Sequence, residues 1–497
     1  MKLNYETYKD KVYACWLGKN IGGTMGAPYE GVRTALKVKG FQTEANEVLP
    51  NDDLDLQLVW LQAMEYEGPK NITASVLGEY WLSFITPYWN EYGIGKRNME
   101  RGVMPPICGD LENNIWKHSN GAWIRTEIWA TLAPAYPDLA VRYALEDAKV
   151  DHGMGEGSYA AAFVAALESA AFVISDVRKL MEIGLCKIPA DCRTAKSVRL
   201  VQKVFDEGGS AEKARQLILE ENADIGDGWF QAPSNIAFVV IGLLYGQGDF
   251  KKSMLTAINC GDDTDCTAAT VGSILGIMGG TAIIPKDWRK HIGDNIVTCS
   301  INMGVAWRKI ATCTQLTERV VRLAPSVLLQ NRANVEIVCG ENEIVGDEVE
   351  RFLLPYGQNE ETDAMRASLA TYKENTLQVK FAYATAVVTY LDSPMIAQGE
   401  ERKFSLRFIN NVKAYGNQPY TLHVKVWLPE GLETDKKDFD VYLPHWTAMT
   451  MDCDTPPLEI TVRAGENVAA VNKIILEVSA VGRYTEGFVP VVYLARY

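Results

Sequence analysis

The sequence predicts two structural classes in one chain, an all-α region over residues 1–325 followed by an antiparallel β-sandwich over residues 326–497. Three observations predict it. Apolar residues recur at helical spacing up to about residue 325, they alternate with polar residues beyond about 330, and turn-forming residues separate the segments throughout. A chain of 497 residues is long enough to give each region its own core without a disulfide or metal staple.

In the first region, Leu56, Val59, Trp60 and Ala63 stand at i, i+3, i+4 and i+7, one face of a helix that begins near Leu54. Residues 159–173 are alanine-rich, with Phe163, Leu167 and Ala171 on one stripe, and residues 211–220, 233–245 and 267–278 read as further helices. In the second region, residues 404–409, 421–428, 458–462 and 473–478 alternate between apolar and polar. Pro429-Glu430-Gly431 and Ala464-Gly465-Glu466 supply turns between them. Short strands at this spacing suit a sandwich, the immunoglobulin type among them. The acidic stretch 357–363 reads as a linker or exposed loop.

Composition excludes some function classes. The net charge of −14 argues against a nucleic-acid backbone as partner, because phosphate neutralisation needs clustered Lys and Arg. It leaves room for a nucleotide-sized ligand and suits a site that collects cations. The ten cysteines form no CxxC pair and sit mostly in apolar surroundings, as reduced thiols do. The start, Met1 to Glu6, has no apolar core of a signal peptide, and the apolar run 236–245 is too short to span a bilayer. A cytoplasmic protein with no membrane partner is expected.

Two acidic clusters carry the chemistry. Asn51-Asp52-Asp53-Leu54-Asp55 precedes a helix, where Asn is a preferred cap and carboxylates suit the first turn, so capping alone would explain one or two of these residues. Gly261-Asp262-Asp263-Thr264-Asp265-Cys266 also precedes a helix, but capping does not require three carboxylates in four positions. Packed together they repel unless a cation lies between them. The spacing is not that of an EF-hand, since the sixth position from Asp263 is Ala268 and the twelfth Ile274. The following helix is small on one side, at Ala268, Ala269, Gly272 and Gly276, which lets another backbone or a ligand come close. Two oxygen-rich clusters fit a shared divalent-metal site, with Mg²⁺ the default and Mn²⁺ or Ca²⁺ the other oxygen-ligated options. Five histidines and scattered cysteines argue against zinc.

Four stretches carry a family resemblance. They are Leu17-Gly18 to Pro28-Tyr29-Glu30, Asn51-Asp52-Asp53, Ser119-Asn120-Gly121-Ala122-Trp123-Ile124-Arg125, and Asn259 to Gly272 with the trailing Ile284-Pro285 and Trp288. In this order they resemble the ADP-ribosylglycohydrolase family: its opening GxxxGDALGAPxE helix, its Thr-Asp-Asp, its GNGxxMR loop, and its GGDTDTxAAxxG followed by IPxxW. The resemblance implies a helical fold with two Mg²⁺ at the base of a cleft. It puts Asp52, Asp53, Asp263 and Asp265 on metal-ligand positions and Asn51 on a Thr ligand position. It puts Glu30 beside the ribose site, and Ser119, Asn120, Gly121, Ala122 and His152 along the substrate. Three positions depart from the pattern: Gly23 stands for Asp, Asn51 for Thr and Cys266 for Thr, while Asp262 in place of Gly, together with Asp55, offers compensating oxygens.

The activity implied is metal-dependent hydrolysis of the glycosidic bond of an ADP-ribosylated protein or small ADP-ribosyl compound. Cleavage builds oxocarbenium character at C1, and a carboxylate that deprotonates water is the usual solution. Glu30 and Asp53 are both candidates for that base, with Asp53 alternatively a bridging ligand. Glycine at 121 would let backbone N–H groups approach a diphosphate. Arg125 suits a buried acid partner, and Trp116, Trp123 and Trp229 suit either packing or stacking on a base. The departures keep open a ribosidase or glycosidase for another furanoside or nucleoside, and a non-catalytic ligand-binding protein on the same fold. The β-region could bind carbohydrate or protein, or join copies into an oligomer.

Overall fold

The computed structural model describes residues 1–226, 228–302, 304, 309–356, 375–411, 420–444 and 454–496. The stretch 357–363 therefore lies outside the described residues. Contacts divide the chain into two compact units, Met1–Lys96 with Gly109–Leu369, and Arg97–Cys108 with Ala370–Tyr497. The helix Cys313–Gln330 runs through residue 325 and belongs to the first unit.

The first unit is helical. Among its described residues one strand pair, Lys2–Asn4 parallel to Glu336–Val338, was not foreseen in the sequence. Asn4 then caps the opening helix Tyr5–Gly26 by accepting from Thr7 N–H at 2.8 Å. From Ala14 onward this helix is enclosed, and its partner is Thr264–Gly279. The two pack backbone against backbone. A Cβ on Gly18 would lie 2.2 Å from Gly272 O, one on Gly22 2.3 Å from Ala268 C, and one on Gly26 2.3 Å from Thr264 O. Any side chain at these glycines would force the helices apart. The register is antiparallel, so the end of the first helix meets the start of the second, where Thr264 Oγ1 donates to Gly26 O at 2.8 Å. The expected helices at 56–63, 159–173, 211–220 and 233–245 are Asp52–Glu67, Glu156–Ala170, Ala211–Glu221 and Ala232–Gly246. Trp60 packs between Trp81 and Trp129, with ring centroids 5.8 and 6.4 Å apart, and anchors the core behind the first acidic cluster. Among the described residues no single helix is long and apolar enough to cross a membrane.

The second unit holds two five-stranded sheets. One runs Thr376–Lys380, Ala384–Tyr390, Glu401–Asn410, Leu458–Ala464, Leu432–Thr434, antiparallel throughout. The other runs Met395–Ile396, Glu486–Ala495, Val471–Ala480, Tyr420–Trp427, Asp438–Leu443, and is antiparallel except where Met395–Ile396 pairs parallel to Leu494–Ala495. The alternation read in the sequence is the two faces of these strands: Phe404, Leu406 and Phe408 point into the core, as do Leu422, Val424 and Val426. Tyr390 joins the sheets, its hydroxyl donating to Val492 O at 2.9 Å and accepting from Val492 N–H at 2.8 Å. In the first sheet Leu458–Ala464 lies between Glu401–Asn410 and Leu432–Thr434 although it follows both in the chain, so the sheet is not a simple meander.

Candidate metal centre

Asn51 does cap its helix. It is extended (φ −145°, ψ 114°) and its Oδ1 accepts from Asp53 N–H at 2.8 Å. Its Nδ2 is enclosed, has no acceptor, and occupies space left by Gly23: a Cβ there would lie 1.8 Å from this nitrogen. The Asn51 amide thus fills space that a side chain at 23 would need. Asp52 accepts from Tyr92 Oη at 3.1 Å. Asp53 is fully enclosed, accepts from Cys266 Sγ–H at 3.3 Å, and lies 3.7 Å from Lys19 Nζ. Asp55 faces elsewhere, its Oδ2 accepting from the N–H groups of Cys299 and Ser300 at 2.6 Å each.

The second cluster is not a cap. Asp263 occupies the N-cap position, yet its side chain makes no capping bond. Its Oδ2 accepts from Asn120 Nδ2 at 2.6 Å, and its Oδ1 is enclosed with no donor, as is Asp265 Oδ1. Asp262 braces the loop instead. Its φ of +66° is a left-handed backbone that Asp tolerates better than most residues, and its carboxylate accepts from Phe230 N–H at 3.3 Å and Asn235 Nδ2 at 3.0 Å. Its backbone pairs with the segment after Glu30, through Asp262 N–H to Val32 O at 2.7 Å and Gly31 N–H to Asp262 O at 2.9 Å. That pairing brings Glu30, on the exposed edge, to the cluster. Carboxylate oxygens of Glu30, Asp263 and Asp265 lie within 4.8 Å of one another, and so do ligand atoms of Asp53, Asp265 and Cys266. Asp265 belongs to both groups.

Five carboxylates, Glu30, Asp52, Asp53, Asp263 and Asp265, thus converge, and among the described residues the cation recorded against them is Lys19. Lys19 is shared, bonding Glu127 Oε1 at 2.7 Å and Ile124 O at 2.6 Å. Glu30 is pushed up to about 8, chiefly by the charge of Asp265 and then by burial. Asp52 rises to about 6, by burial and then Asp265. Burial and neighbouring carboxylates hold Asp53 and Asp263 well above the ordinary range. Such an arrangement is favourable only with protons or multivalent cations between the oxygens. The enclosed oxygens of Asp263 and Asp265 without donors, and the oxygen-rich ligand set, fit divalent ions.

The Ser119–Ala122 loop abuts the cluster through Asn120, whose amide is oriented by Trp123 Nε1 donating to its Oδ1 at 3.0 Å. Trp123 is enclosed and serves packing. Ser119 Oγ lies 3.2 Å from His152 Nε2, and His152 Nδ1 lies 2.9 Å from Asp151 Oδ1. His152 is fully enclosed, so it stands behind the loop. Gly121 packs closely: a Cβ would fall 2.3 Å from Glu91 Oε1, the end of a side chain that would have to shift. Gly121 O accepts from Arg125, whose guanidinium pairs with Asp147 and Asp151, and Ala122 is enclosed. Half-buried Trp229 lies under the Arg33 guanidinium, 3.5 Å from its ring centroid. Sequence reasoning missed Lys19, Glu91, Tyr92 and Glu127. For Lys19 one signal existed: a lysine inside the run 14–25, which is otherwise small, apolar or uncharged.

The family model for ADP-ribosylglycohydrolase matches residues 4–325. Among solved structures, the chain is similar to an ADP-ribosylglycohydrolase-related protein complex at 21% identity, covering 65% of this chain and 98% of that one with a TM-score of 0.43. It is also similar to a FixG-related protein from Vibrio parahaemolyticus at 13% identity, covering 24% of this chain and 100% of that one with a TM-score of 0.18. No curated protein matches the chain.

Proposed function

We propose, for a chain that belongs to the ADP-ribosylglycohydrolase family, metal-dependent hydrolysis of an ADP-ribosyl glycosidic bond at a binuclear centre. The observation that carries the reading is Asp265: two ligand groups, Glu30–Asp263–Asp265 and Asp53–Asp265–Cys266, share this one carboxylate, as a bridging ligand between two ions would. Mg²⁺ is the default ion, and Asp52 and Asn51 stand beside the pair. Divalent ions bound there would neutralise the carboxylates, polarise sugar hydroxyls and acidify water.

The chain's own residues then divide the work. Glu30 is the better-placed general base, because it stands on the exposed edge, whereas Asp53 is sealed beneath Cys266 and Lys19. Asn120 holds Asp263 on one side and Trp123 on the other, fixing the Ser119–Ala122 loop against the centre as the substrate-facing wall. His152 supports Ser119 from behind. The substrate is a small ADP-ribosyl compound or an ADP-ribosylated protein. Release of free ADP-ribose from an ADP-ribosylated peptide, abolished by EDTA and restored by divalent metal, is the expected result; turnover that persists in EDTA sinks the reading. The departures at Gly23 and Asn51 favour one second reading, a ribosidase for another furanoside or nucleoside. A panel of nucleosides and aryl furanosides separates the two.

A further inference from the structure

The binuclear reading leaves one chemical mismatch. Of the ligand atoms in the two groups, one is not oxygen: Cys266 Sγ, enclosed in the first turn of the helix Thr264–Gly279. It lies 3.3 Å from Asp53 Oδ1, and both lie within 4.8 Å of an Asp265 oxygen. A second observation points at a ligand here. Asp265 is 6% exposed, and its Oδ1 has no donor.

We propose that the Asp53–Asp265–Cys266 position takes a thiophilic divalent ion of the Zn²⁺ or Co²⁺ class through Cys266 Sγ, while Glu30–Asp263–Asp265 takes a hard ion such as Mg²⁺. The centre is then a mixed pair joined at Asp265. The proposal rests on the binuclear reading and adds the identity of one ion. Ligand softness supports it: thiolates favour Zn²⁺ and its neighbours, whereas Mg²⁺ takes oxygen in a near-ideal octahedron. Spacing supports it too. Tetrahedral bonds of about 2.3 Å to sulfur and about 2.1 Å to oxygen set the two atoms about 3.6 Å apart, close to the 3.3 Å between Cys266 Sγ and Asp53 Oδ1. On ligation the thiol proton, now directed at Asp53, leaves to solvent and the sulfur binds as thiolate. A single thiol among carboxylates is a different ligand set from the His- and Cys-rich sites that the composition speaks against.

The test uses the full-length, metal-stripped protein. Co²⁺ alone should produce a near-ultraviolet thiolate-to-Co²⁺ charge-transfer band at one equivalent. Cys266→Ser should remove that band, and Cys299→Ser, at an exposed cysteine, should keep it. Thermal-shift titrations should show Cys266→Ser losing at least about 10- to 100-fold in Zn²⁺ affinity, the loss that even an outer-shell change brings, with Mg²⁺ affinity unchanged. If Mg²⁺ binds but Co²⁺ gives no such band in the unaltered chain, the mixed pair is overturned and the binuclear reading stands. If Mg²⁺, Co²⁺ and Zn²⁺ all fail to bind, both fall. If Cys266→Ser does not fold, absence of the band in the unaltered chain still overturns the mixed pair, and Cys266→Ala replaces the serine variant in assigning a band that is present.

Discussion

Gly23→Ala is the most informative single change. The new methyl would lie 1.8 Å from Asn51 Nδ2 and 2.9 Å from Asn51 Cγ, the two closest atoms to it. Asn51 must turn away, and in turning it gives up its bond from Asp53 N–H. Overpacking costs about 1–3 kcal/mol and a lost cap about 1, while Ala over Gly inside a helix returns about 1. The net is a destabilisation of about 1–3 kcal/mol. In an Asn51→Ser background the amide is gone and a capping oxygen remains, so the same methyl should cost nothing or stabilise by up to about 1 kcal/mol. The coupling energy is therefore about 1–4 kcal/mol. Urea denaturation followed by tryptophan fluorescence reads mainly the helical unit, because Trp16, Trp60, Trp81, Trp123 and Trp129 are all fully enclosed there, whereas only Trp427 and Trp446 of the twelve tryptophans belong to the second unit. A two-unit chain need not unfold in one step, so this local probe is preferable to a global one. Equal effects of Gly23→Ala in the two backgrounds would refute the idea that positions 23 and 51 are one adjustment.

Other outcomes follow from the same geometry. Lys19→Met strips the buried cation from Asp53 and Glu127 and should destabilise the metal-free chain by about 3–5 kcal/mol; an unchanged urea midpoint would remove Lys19 from the account. Glu30, Asp52 and Asp55 are held at about 8, about 6 and about 7, by the Asp265 charge for the first and by burial for the others. The folded chain keeps these protons longer than the unfolded chain does, so their stabilisation is complete below about pH 4 and is lost as pH rises to about 8. Because metal competes with the protons on Glu30 and Asp52, the melting-temperature gain from Mg²⁺ should be larger at pH 8 than at pH 5.5, and a pH-independent gain contradicts this. Asn120→Ala removes a bond to a charged partner worth about 1.5–3 kcal/mol, so kcat/KM for ADP-ribose release should fall about 10- to 100-fold. Retained activity there would detach the loop from the centre.

Much of this was legible in the residues. Asp263 and Asp265 stood out because capping could not account for them, and the structure agrees, since Asp263 sits at the cap position without capping. Asn51 was ambiguous and proves to be a true cap. Strand alternation gave the sandwich class but not the strand order, which depends on pairings such as Glu401–Asn410 with Leu458–Ala464 that no local pattern encodes. Glu91 and Tyr92 escaped notice because the helix Asn90–Glu100 is polar and reads as solvent-facing, although both are enclosed. Cys266 was visible as a departure, but its distance to Asp53 exists only in three dimensions.

One connection has a bearing on how the chain is made. Arg97–Cys108 interrupts the helical unit yet belongs with residues from Ala370 onward, where a Cβ on Gly102 would meet Lys473 and Val492. A ribosome emits the first helices well before those partners. From Cys108 to Ala370 is 262 residues, about 13–50 s of synthesis at about 5–20 residues per second. For that interval the segment between Lys96 and Gly109 waits without its permanent neighbours, and the helix carrying Glu91 and Tyr92 ends in it. The Tyr92 support of Asp52 should therefore mature late, although Glu30, Asp52 and Asp53 are among the early residues to be translated.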